Sequence, residues 1–512
     1  MQRITLTRNP IFMKHVRARL RGQTLLPMVA IVLLLAGVGV WMCLRVGDPQ
    51  SQNLSFEEAW LIAVLLLVCL QGFFLFIIGG VMLASSISQA RESGMIDFHR
   101  ASPLTPTELG IGFLFGGPVL EWVLYAATLP AWVVLMFMQS EKILGMLLIV
   151  LVTIIAAVCY HLLILLAAMS VPVKQVRTAA ALILLVILLY LGWMLPFAAY
   201  LTIIPTLNHV LGSPWFREGP YLAIQFFGMT PHPVLPTLLH LGVFIVFLWL
   251  AVRRKFRRDE IPPHSKDMTV LFYLCLGVLF LGDLLSLKSP NADSSLQDAS
   301  PTVILYALFI TALLAVAVAQ PQLGSFVKGV RLAMKKGLHH LPRWHDFAST
   351  TPLTLVLAAL LVAIEGAAVW INWSADSSLI RATLATGTAV GAICFMAFMH
   401  QFFGLAMRKH VSLYLGLLLF LVWLGPVLIA ILGSVSNEDF TLFWRGVLSS
   451  SPFAGMGMTL DSDNGTRYGI ISCATAWGLA LIAAPLAILV ERRATARALL
   501  PAKAEPAAAA VG

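Results

Sequence analysis

The chain has 512 residues, of which 59% are hydrophobic and only 11% are charged. Soluble domains are about 45–50% apolar and about 25% charged, and a soluble protein of this length could not bury so much apolar surface in one core. The composition therefore excludes a soluble globular protein and indicates that the lipid bilayer is the solvent. The net charge of +10 does not indicate nucleic-acid binding, because the basic residues flank apolar runs as they do in membrane proteins.

The N-terminal segment, residues 1–24, carries six Lys/Arg residues. The apolar run that follows is too long for a signal peptide and lacks a small-residue cleavage site, so we expect a retained first helix. Within the segment, residues 10–21 place apolar and basic side chains on roughly opposite helical faces. This pattern is typical of a helix lying at the cytoplasmic membrane face, and equally of an ordinary basic anchor.

Twelve runs are long and apolar enough to cross the bilayer, which requires about 20 residues for about 30 Å of hydrocarbon. The sequence therefore predicts an all-α, polytopic membrane protein. The predicted spans are 25–43, 60–84, 111–138, 143–169, 179–204, 234–252, 268–285, 303–320, 354–373, 380–407, 411–433 and 469–490.

The distribution of basic residues predicts the orientation of these spans. With the N-terminus in the cytoplasm, the inner segments hold 27 of the 34 Lys/Arg residues, and the outer loops hold twelve of the 24 carboxylates. A miscounted span would destroy this asymmetry. We therefore expect both termini to be cytoplasmic in the plasma (inner) membrane.

Two matching segments indicate an internal repeat. Asp97–Thr105 follows the second predicted span and Asp346–Thr354 follows the eighth, and five of their nine positions are identical. The pattern predicts two six-helix units in parallel orientation, as in several transporter families. The predicted organisation is an N-terminal elbow or interfacial helix (1–24), a first unit (25–258), a linker (259–267), a second unit (268–490) and a disordered tail (491–512).

The first of these segments also predicts its own local structure. Prolines at 103 and 106 disfavour helical backbone in the residues before them. Thr105, Pro106 and Glu108 then have the spacing of a capping box at the start of a helix. We expect a short helix around 88–99, a rigid turn and a new helix entering the membrane.

This region resembles the ABC-2-type transporter permeases. The resemblance is carried by Arg91-Glu92-Ser93-Gly94-Met95-Ile96-Asp97, by Ala101-Ser102-Pro103-Leu104-Thr105-Pro106-Thr107-Glu108-Leu109, and by the opening from Asn9 to Gly22. It covers residues 1–135 best. It implies a fused pair of permease halves in an exporter, with the loop acting as a coupling helix that docks on a separate ATPase subunit, itself a dimer.

The coupling residues that the resemblance implies lie in both matching segments and, for the first, also just before it. They are Arg91, Glu92, Asp97, Phe98, Ser102, Pro103, Leu104 and Thr105 in the first, and Asp346, Phe347, Pro352, Leu353 and Thr354 in the second. The second segment lacks the Arg-Glu start and the second proline, so equal coupling through both does not follow.

No phosphate-binding loop, metal-protease motif, hydrolase elbow or dinucleotide fingerprint occurs in the sequence. We therefore expect no enzymatic activity and no cofactor in this chain, with ATP and magnesium bound by the partner subunit. The six cysteines lie in apolar runs without metal-ligand spacing, and we expect neither a disulfide nor a zinc site.

Ionisable residues inside predicted spans are candidates for a translocation path, because a charge at the bilayer centre is costly. Glu121 and Glu365 lie deep in the third and ninth spans and form the candidate path, whereas Asp283 lies near an outer end. For both glutamates, the competing interpretation is a helix-packing hydrogen bond or a carboxyl kept protonated by desolvation. His161, His240 and His400 are too scattered to indicate a metal or haem site.

Other features concern packing and position at the membrane. Residues 326–341 are amphipathic and favour a second helix at the cytoplasmic face. Gly112/Gly116 and Gly387/Gly391 have the spacing that allows close helix approach.

Two other function classes compete with the permease. An ion-coupled secondary carrier would also have 6+6 helices and could use the two glutamates, although the basic loop motif of the major facilitator superfamily is missing. A membrane-embedded enzyme or assembly scaffold would need a cluster of catalytic residues at one depth, which the sequence does not provide.

Overall fold

A computed structural model describes residues 6–46, 55–170, 200–211, 226–227, 229, 232–285, 294–371, 379–407, 411–436, 442–461 and 464–499. Throughout these ranges every regular element is a helix, and the expectation of an all-α fold is confirmed.

The chain divides into two compact units. The first comprises Met1–Ile224 with Thr230–Asp259, and the second comprises Gln225–Met229 with Glu260–Gly512. The division at Asp259 and Glu260 falls next to the linker predicted at 259–267.

The first unit contains a short N-terminal helix, long apolar helices and two short helices around a loop. They are α1 (Pro10–Arg19), α2 (Gly22–Val46), α3 (Phe56–Glu92), α4 (Met95–Ala101), α5 (Pro106–Gly116), α6 (Val119–Met138), α7 (Ile143–Ser170), α8 (Ile204–Leu211) and α9 (Val234–Arg257). Its largest cluster of buried apolar residues joins α1, α3, α4, α5, α7 and α9.

The second unit has a similar order of elements. They are α10 (Lys266–Leu285), α11 (Ser294–Ala319), α12 (Leu323–Lys335), α13 (Thr351–Ile371), α14 (Leu379–Ala406), α15 (Val411–Leu419, Phe420–Leu424 and Gly425–Ser436), α16 (Leu442–Ser449), α17 (Pro452–Asp461) and α18 (Gly465–Leu499).

Nine helices within the described ranges are long and apolar enough to cross a membrane, and α11 with the bent α12 makes a tenth candidate. These account for ten of the twelve predicted spans. The fifth, 179–204, lies almost entirely outside the described residues. The seventh is the helix α10, which is not among these ten helices, although Asp283 is the only charged residue within 268–285. The chain is a multi-pass membrane protein with nine or ten such helices in its described part.

Three predicted boundaries are corrected by the structure. The third span is not one helix, because Pro118 has no N–H to continue the ladder and α5 ends at Gly116 before α6 begins. The tail predicted as disordered from 491 is helical up to Leu499, where the apolar contacts of α18 with α12 continue. The helix predicted at 326–341 is α12, which ends at Lys335.

The helix α12 also differs from the predicted interfacial helix in what covers its apolar face. Phe326 and Val330 pack against Val490, Ala494 and Ala498 of α18. Its apolar stripe therefore contacts protein, whereas a helix lying in the membrane interface would turn that stripe toward lipid.

Within each unit, the corresponding helices pack in the same pairs. In the first, α2 contacts α3 and α6, and α7 contacts α9. In the second, α10 contacts α11 and α13, and α14 contacts α18. This shared order is what the internal repeat predicts.

The two glycine pairs serve the close approach that their spacing predicts. A Cβ on Gly112 would lie 2.8 Å from both Asn9 Oδ1 and Ile11 Cβ, so this glycine allows α1 to rest on α5. A Cβ on Gly391 would lie 3.0–3.1 Å from Ala476 and the backbone of Trp477 in α18. Both contacts require the absence of a side chain.

Candidate coupling site

The first elbow (Asp97–Thr105) begins with a turn that only glycine adopts easily. The helix α3 ends at Glu92, and Gly94 follows with φ of +69°. A residue with a Cβ would cost about 1–2 kcal/mol in this left-handed conformation. This turn separates α3 from α4 and allows α4 to start in a new direction.

The far side of the elbow is fixed by the predicted capping box. Glu108 N–H donates to Thr105 Oγ1 over 3.2 Å, and Thr105 N–H donates to Glu108 Oε2 over 2.7 Å. Pro106 occupies the first helical position, where no N–H is needed. The predicted helix, rigid turn and new helix are thus present, with the short helix at α4 and not at 88–99.

Two arginines attach the elbow to the ends of other helices. Arg100 donates to the carbonyl oxygens of Phe256 (3.1 Å) and Lys255 (3.0 Å), which belong to the last turn of α9. Arg91 donates to the carbonyl oxygens of Met169 (2.7 Å) and Ala168 (3.2 Å) at the end of α7. Guanidinium groups are well suited to these sites, since helix C-termini carry unpaired carbonyls and a partial negative charge.

A carboxylate completes this attachment. Asp259 Oδ2 accepts from Arg91 over 3.2 Å, and the Asp259 carbonyl accepts from Lys255 Nζ over 2.7 Å. A displacement of α4 is therefore transmitted to α9 through Arg100, while Arg91 in the last turn of α3 links the other side of the Gly94 turn to α7. Arg91 was predicted as a site residue, whereas Arg100 and Asp259 were missed.

The outer side of the elbow is accessible. Phe98 is 70% exposed, and the Asp97 side chain is 78% exposed. Asp97 accepts from Arg100 over 2.7 Å, which neutralises its charge locally. Burial and the nearby Lys14 lower the pKa of His99, so it is neutral at pH 7. The elbow thus offers an exposed aromatic ring in a nearly neutral setting.

The remaining predicted residues of the first elbow have supporting positions. Glu92, Pro103 and Thr105 are exposed, and the half-buried Leu104 packs against the main apolar cluster of the unit. The Ser102 hydroxyl donates to the His99 carbonyl over 2.7 Å.

The N-terminal helix α1 is part of the same assembly. Asn9 caps α1 by accepting from Ile11 N–H, and its amide donates to the Glu108 carbonyl over 2.7 Å. Burial, with Arg19 and Lys14 nearby, lowers the pKa of His15 to about 4. This histidine is therefore neutral where α1 rests on α5.

The second elbow (Asp346–Thr354) has a different structure. Residues 339–350 contain no helix, and Phe347 is only 6% exposed. The Phe347 side chain lies against Gly329 of α12, and a Cβ added to this glycine would be 2.6 Å from Phe347 Cβ. Leu353 and Thr354 are buried in α13, while Asp346 and Pro352 are half-buried.

A buried lysine binds the backbone of the second elbow. Lys266 Nζ donates to the carbonyl oxygens of Ser349 (2.7 Å), Arg343 (2.8 Å) and Ala348 (3.3 Å). Burial lowers the pKa of Lys266 to about 8, opposed by the carboxylates of Asp346 and Glu491. The side chain is therefore charged at pH 7. It was not predicted, because the carbonyls it caps are 77 or more residues away in sequence.

A polar chain next to it joins the start of α13 to two further helices. The Thr351 hydroxyl donates to Gln401 over 3.0 Å, and Gln401 donates to Glu491 over 2.7 Å. The sequence-matched segments therefore have opposite environments, one exposed on a helix and the other packed into its own unit.

The two candidate path glutamates also differ. Glu121 is 1% exposed, and its Oε2 lies 3.8 Å from Nη1 of Arg19 in α1. Arg19 also donates to Ser86 of α3 over 3.2 Å. Glu121 is thus part of the contact between α1, α3 and α6. The ion pair is a helix-packing contact of the kind that competed with the path interpretation.

Glu365 is 2% exposed in α13, and the described residues of the second unit include no counterpart of α1 to supply an arginine. Its Oε2 has no hydrogen-bond partner in the part of the chain that the structure describes. Of the two glutamates, it is the one placed to interact with a group outside its own helix packing.

Two of the three histidines inside the predicted spans bond to backbone carbonyls, whereas His400 Nδ1 has no hydrogen-bond partner among the described residues. His161 bonds through Nε2 to the Leu75 carbonyl over 2.8 Å, beside the π-helical turn Phe73–Ile78 of α3. His240 bonds through Nδ1 to the Pro236 carbonyl over 2.9 Å. No group of three metal-binding side chains occurs among the described residues.

Comparison with known proteins gives no relative: no family model matches the chain, and neither a curated protein nor a solved structure matches it.

Proposed function

We propose that this chain is the membrane-spanning permease of an ATP-driven ABC exporter, powered by a separate ATPase subunit. The observation that carries the proposal is the first elbow, which presents Phe98 outward while Arg91 and Arg100 attach it to α7 and α9. An exposed aromatic side chain on a rigid support is a suitable anchor for a protein partner.

The geometry supports a lever mechanism. An ATPase dimer that binds ATP and magnesium would move α4, and the hydrogen bonds of Arg100 would carry this movement into α9, while Arg91 at the end of α3 connects the adjoining turn to α7. In this proposal the chain has twelve spans, cytoplasmic termini and a place in the inner membrane. The sequence supports the assignment of ATP binding to a separate subunit, since it contains no phosphate-binding loop.

The proposal assigns coupling to the first elbow and a structural role to the second. Phe347, Leu353 and Thr354 are buried in their own unit, so an ATPase could not contact them without unfolding the segment. Asp346 and Pro352 are half-buried in the same segment, whose backbone is held in place by the Lys266 hydrogen bonds.

The test is affinity purification of the tagged full-length chain in mild detergent. Wild type is compared with Asp97→Ala/Phe98→Ala and with Asp346→Ala/Pro352→Ala. The proposal predicts that wild type co-purifies a protein whose peptides contain a phosphate-binding loop, that the first variant loses it, and that the second retains it. Recovery of no such ATPase by wild type would contradict the proposal.

One observation favours the secondary carrier as a second candidate. Oε2 of the buried Glu365 carboxylate has no hydrogen-bond partner among the described residues, as expected of a residue that exchanges a proton or binds a substrate cation. Transport that follows a proton gradient and is lost in Glu365→Gln would favour this function over the permease.

A further inference from the structure

A second exposed surface lies at the end of α12. We call residues 331–344 the basic tip. Its sequence contains four Lys/Arg residues and two histidines, and residues 321–345 contain no Asp or Glu. Within the described structure, neither Lys335 nor Lys336 forms an ion pair. These two lysines therefore give the tip uncompensated positive charge.

Apolar side chains are interspersed among these charges. Leu332, Met334, Leu338 and Trp344 are between 38% and 47% exposed. They are not part of the stripe through which α12 packs on α18, since that stripe consists of Phe326, Val330 and Ala333. The folding of the second unit thus leaves these four side chains uncovered.

The tip is held rigidly. Lys336 and Gly337 end α12 in a tight turn in which Leu338 N–H donates to the Ala333 carbonyl over 3.0 Å, with Gly337 at φ of +76°. At the other end, the Trp344 indole N–H donates to the Asp267 carboxylate. A preorganised surface loses little conformational entropy on binding.

The position of the tip favours a protein partner over the lipid surface. At 1.5 Å per residue, the 35 residues of α18 extend about 52 Å, well beyond about 30 Å of hydrocarbon. The helix α12 packs along the last turns of α18, from Val490 to Ala498. These turns, and the tip beside them, therefore project past the hydrocarbon into water.

We propose that the basic tip is the ATPase-docking surface of the second unit, and that its partner is an acidic, partly apolar face of the same ATPase subunit class. This inference rests on the proposed function. The second elbow is not the docking surface in this proposal, because its Phe347 is buried. The neighbouring basic tip exposes Leu338 and carries a charge that is complementary to an acidic partner.

The test is site-specific photocrosslinking of the full-length chain in its own cells. A benzophenone amino acid replaces Leu338, Phe98 or, as a matched control, Leu432, which is 71% exposed on the membrane helix α15. Adducts are identified by mass spectrometry through peptides containing a phosphate-binding loop. We expect ATPase adducts from positions 338 and 98 and none from 432.

Charge variants examine the chemistry of the contact. Lys335→Glu/Lys336→Glu should lower the adduct yield at position 338 about tenfold, whereas Lys335→Arg/Lys336→Arg should preserve it. An unchanged yield in the charge-reversed variant would overturn the acidic partner.

The possible results separate this inference from the proposed function. ATPase adducts from position 98 alone, or lipid adducts from position 338, would overturn the docking surface and leave the permease intact. Adducts from 338 alone would support the tip and contradict coupling through the first elbow. An absence of ATPase adducts at both positions would contradict the proposed function and the inference together.

Discussion

Phe98 and Phe347 occupy the same position in two segments that share five of nine residues, yet the first is 70% exposed and the second is 6% exposed. The difference arises from their surroundings. Gly94 turns the chain into α4, whereas Lys266 draws the second segment into its unit through three carbonyl oxygens. Similar segments therefore expose a phenylalanine in one unit and bury it in the other.

This difference predicts opposite effects of the same substitution. Phe98→Ala should abolish co-purification of the ATPase without lowering the unfolding temperature, because the ring contributes little to packing. Phe347→Ala should lower the free energy of unfolding by about 3–5 kcal/mol, as for other buried aromatic residues. Thermal unfolding in detergent and affinity purification measure the two effects. Equal loss of stability in both variants would contradict the assigned environments.

A second prediction concerns pH and Lys266. Burial lowers its pKa to about 8 from an ordinary value of 10.5, so between these pH values the unfolded chain binds more protons than the folded chain. The free energy of unfolding should therefore rise with pH between about 8 and 10.5, by about 3 kcal/mol in total. Below pH 8, Lys266 should cause no change of this free energy with pH.

Lys266→Met provides the control for that measurement. Denaturation at pH 7, 8, 9 and 10 should show the rise as a difference between wild type and the variant. Parallel curves for the two proteins would show that Lys266 is not buried as described.

The contact between α1 and α5 gives a third prediction. Gly112→Ala places a methyl group 2.8 Å from Asn9 Oδ1 and Ile11 Cβ, and should increase amide hydrogen exchange across α1. Gly242→Ala in α9 is the matched control, since nothing lies within 4 Å of its Cβ position. The control should gain up to about 1 kcal/mol from helix propensity. Similar exchange in both variants would argue against close packing of α1.

A fourth prediction concerns the ion pair of Arg19 and Glu121. Arg19→Met leaves the buried carboxyl group without its charged neighbour and should lower the free energy of unfolding by about 1–3 kcal/mol, the cost of an unsatisfied buried polar group. The double variant Arg19→Met/Glu121→Gln should recover much of that loss, because no buried charge remains. A double-mutant cycle measures the coupling, and additive effects would mean that the two groups do not interact.

The sequence predicted those features that depend on local pattern. Apolar run length located most of the spans, and the spacing of Thr105, Pro106 and Glu108 predicted the start of α5. The glycine pairs predicted close contacts, although not that α1 is the partner of Gly112. The repeat placed the two elbows at equivalent positions, and the missing Arg-Glu start and second proline of the second elbow already argued against equal coupling.

Features that depend on distant contacts could not be predicted. Lys266 acts on carbonyls that have no sequence signal, and Arg100 caps a helix more than 150 residues away. The break between α5 and α6 had a local signal at Pro118, but the continuous apolar run concealed it. The coverage of α12 by α18 depends on tertiary packing, which an amphipathic pattern alone does not specify.

ATP hydrolysis by the purified assembly tests the central claim most directly. The full-length chain is purified from its own membranes into lipid nanodiscs, as wild type and as Phe98→Ala, and magnesium-dependent ATP hydrolysis is measured per mole of chain. The proposal predicts activity that co-elutes with wild type and is absent from the Phe98→Ala preparation. Absence of hydrolysis with wild type, or equal hydrolysis in both preparations, would contradict coupling of an ATPase through the first elbow.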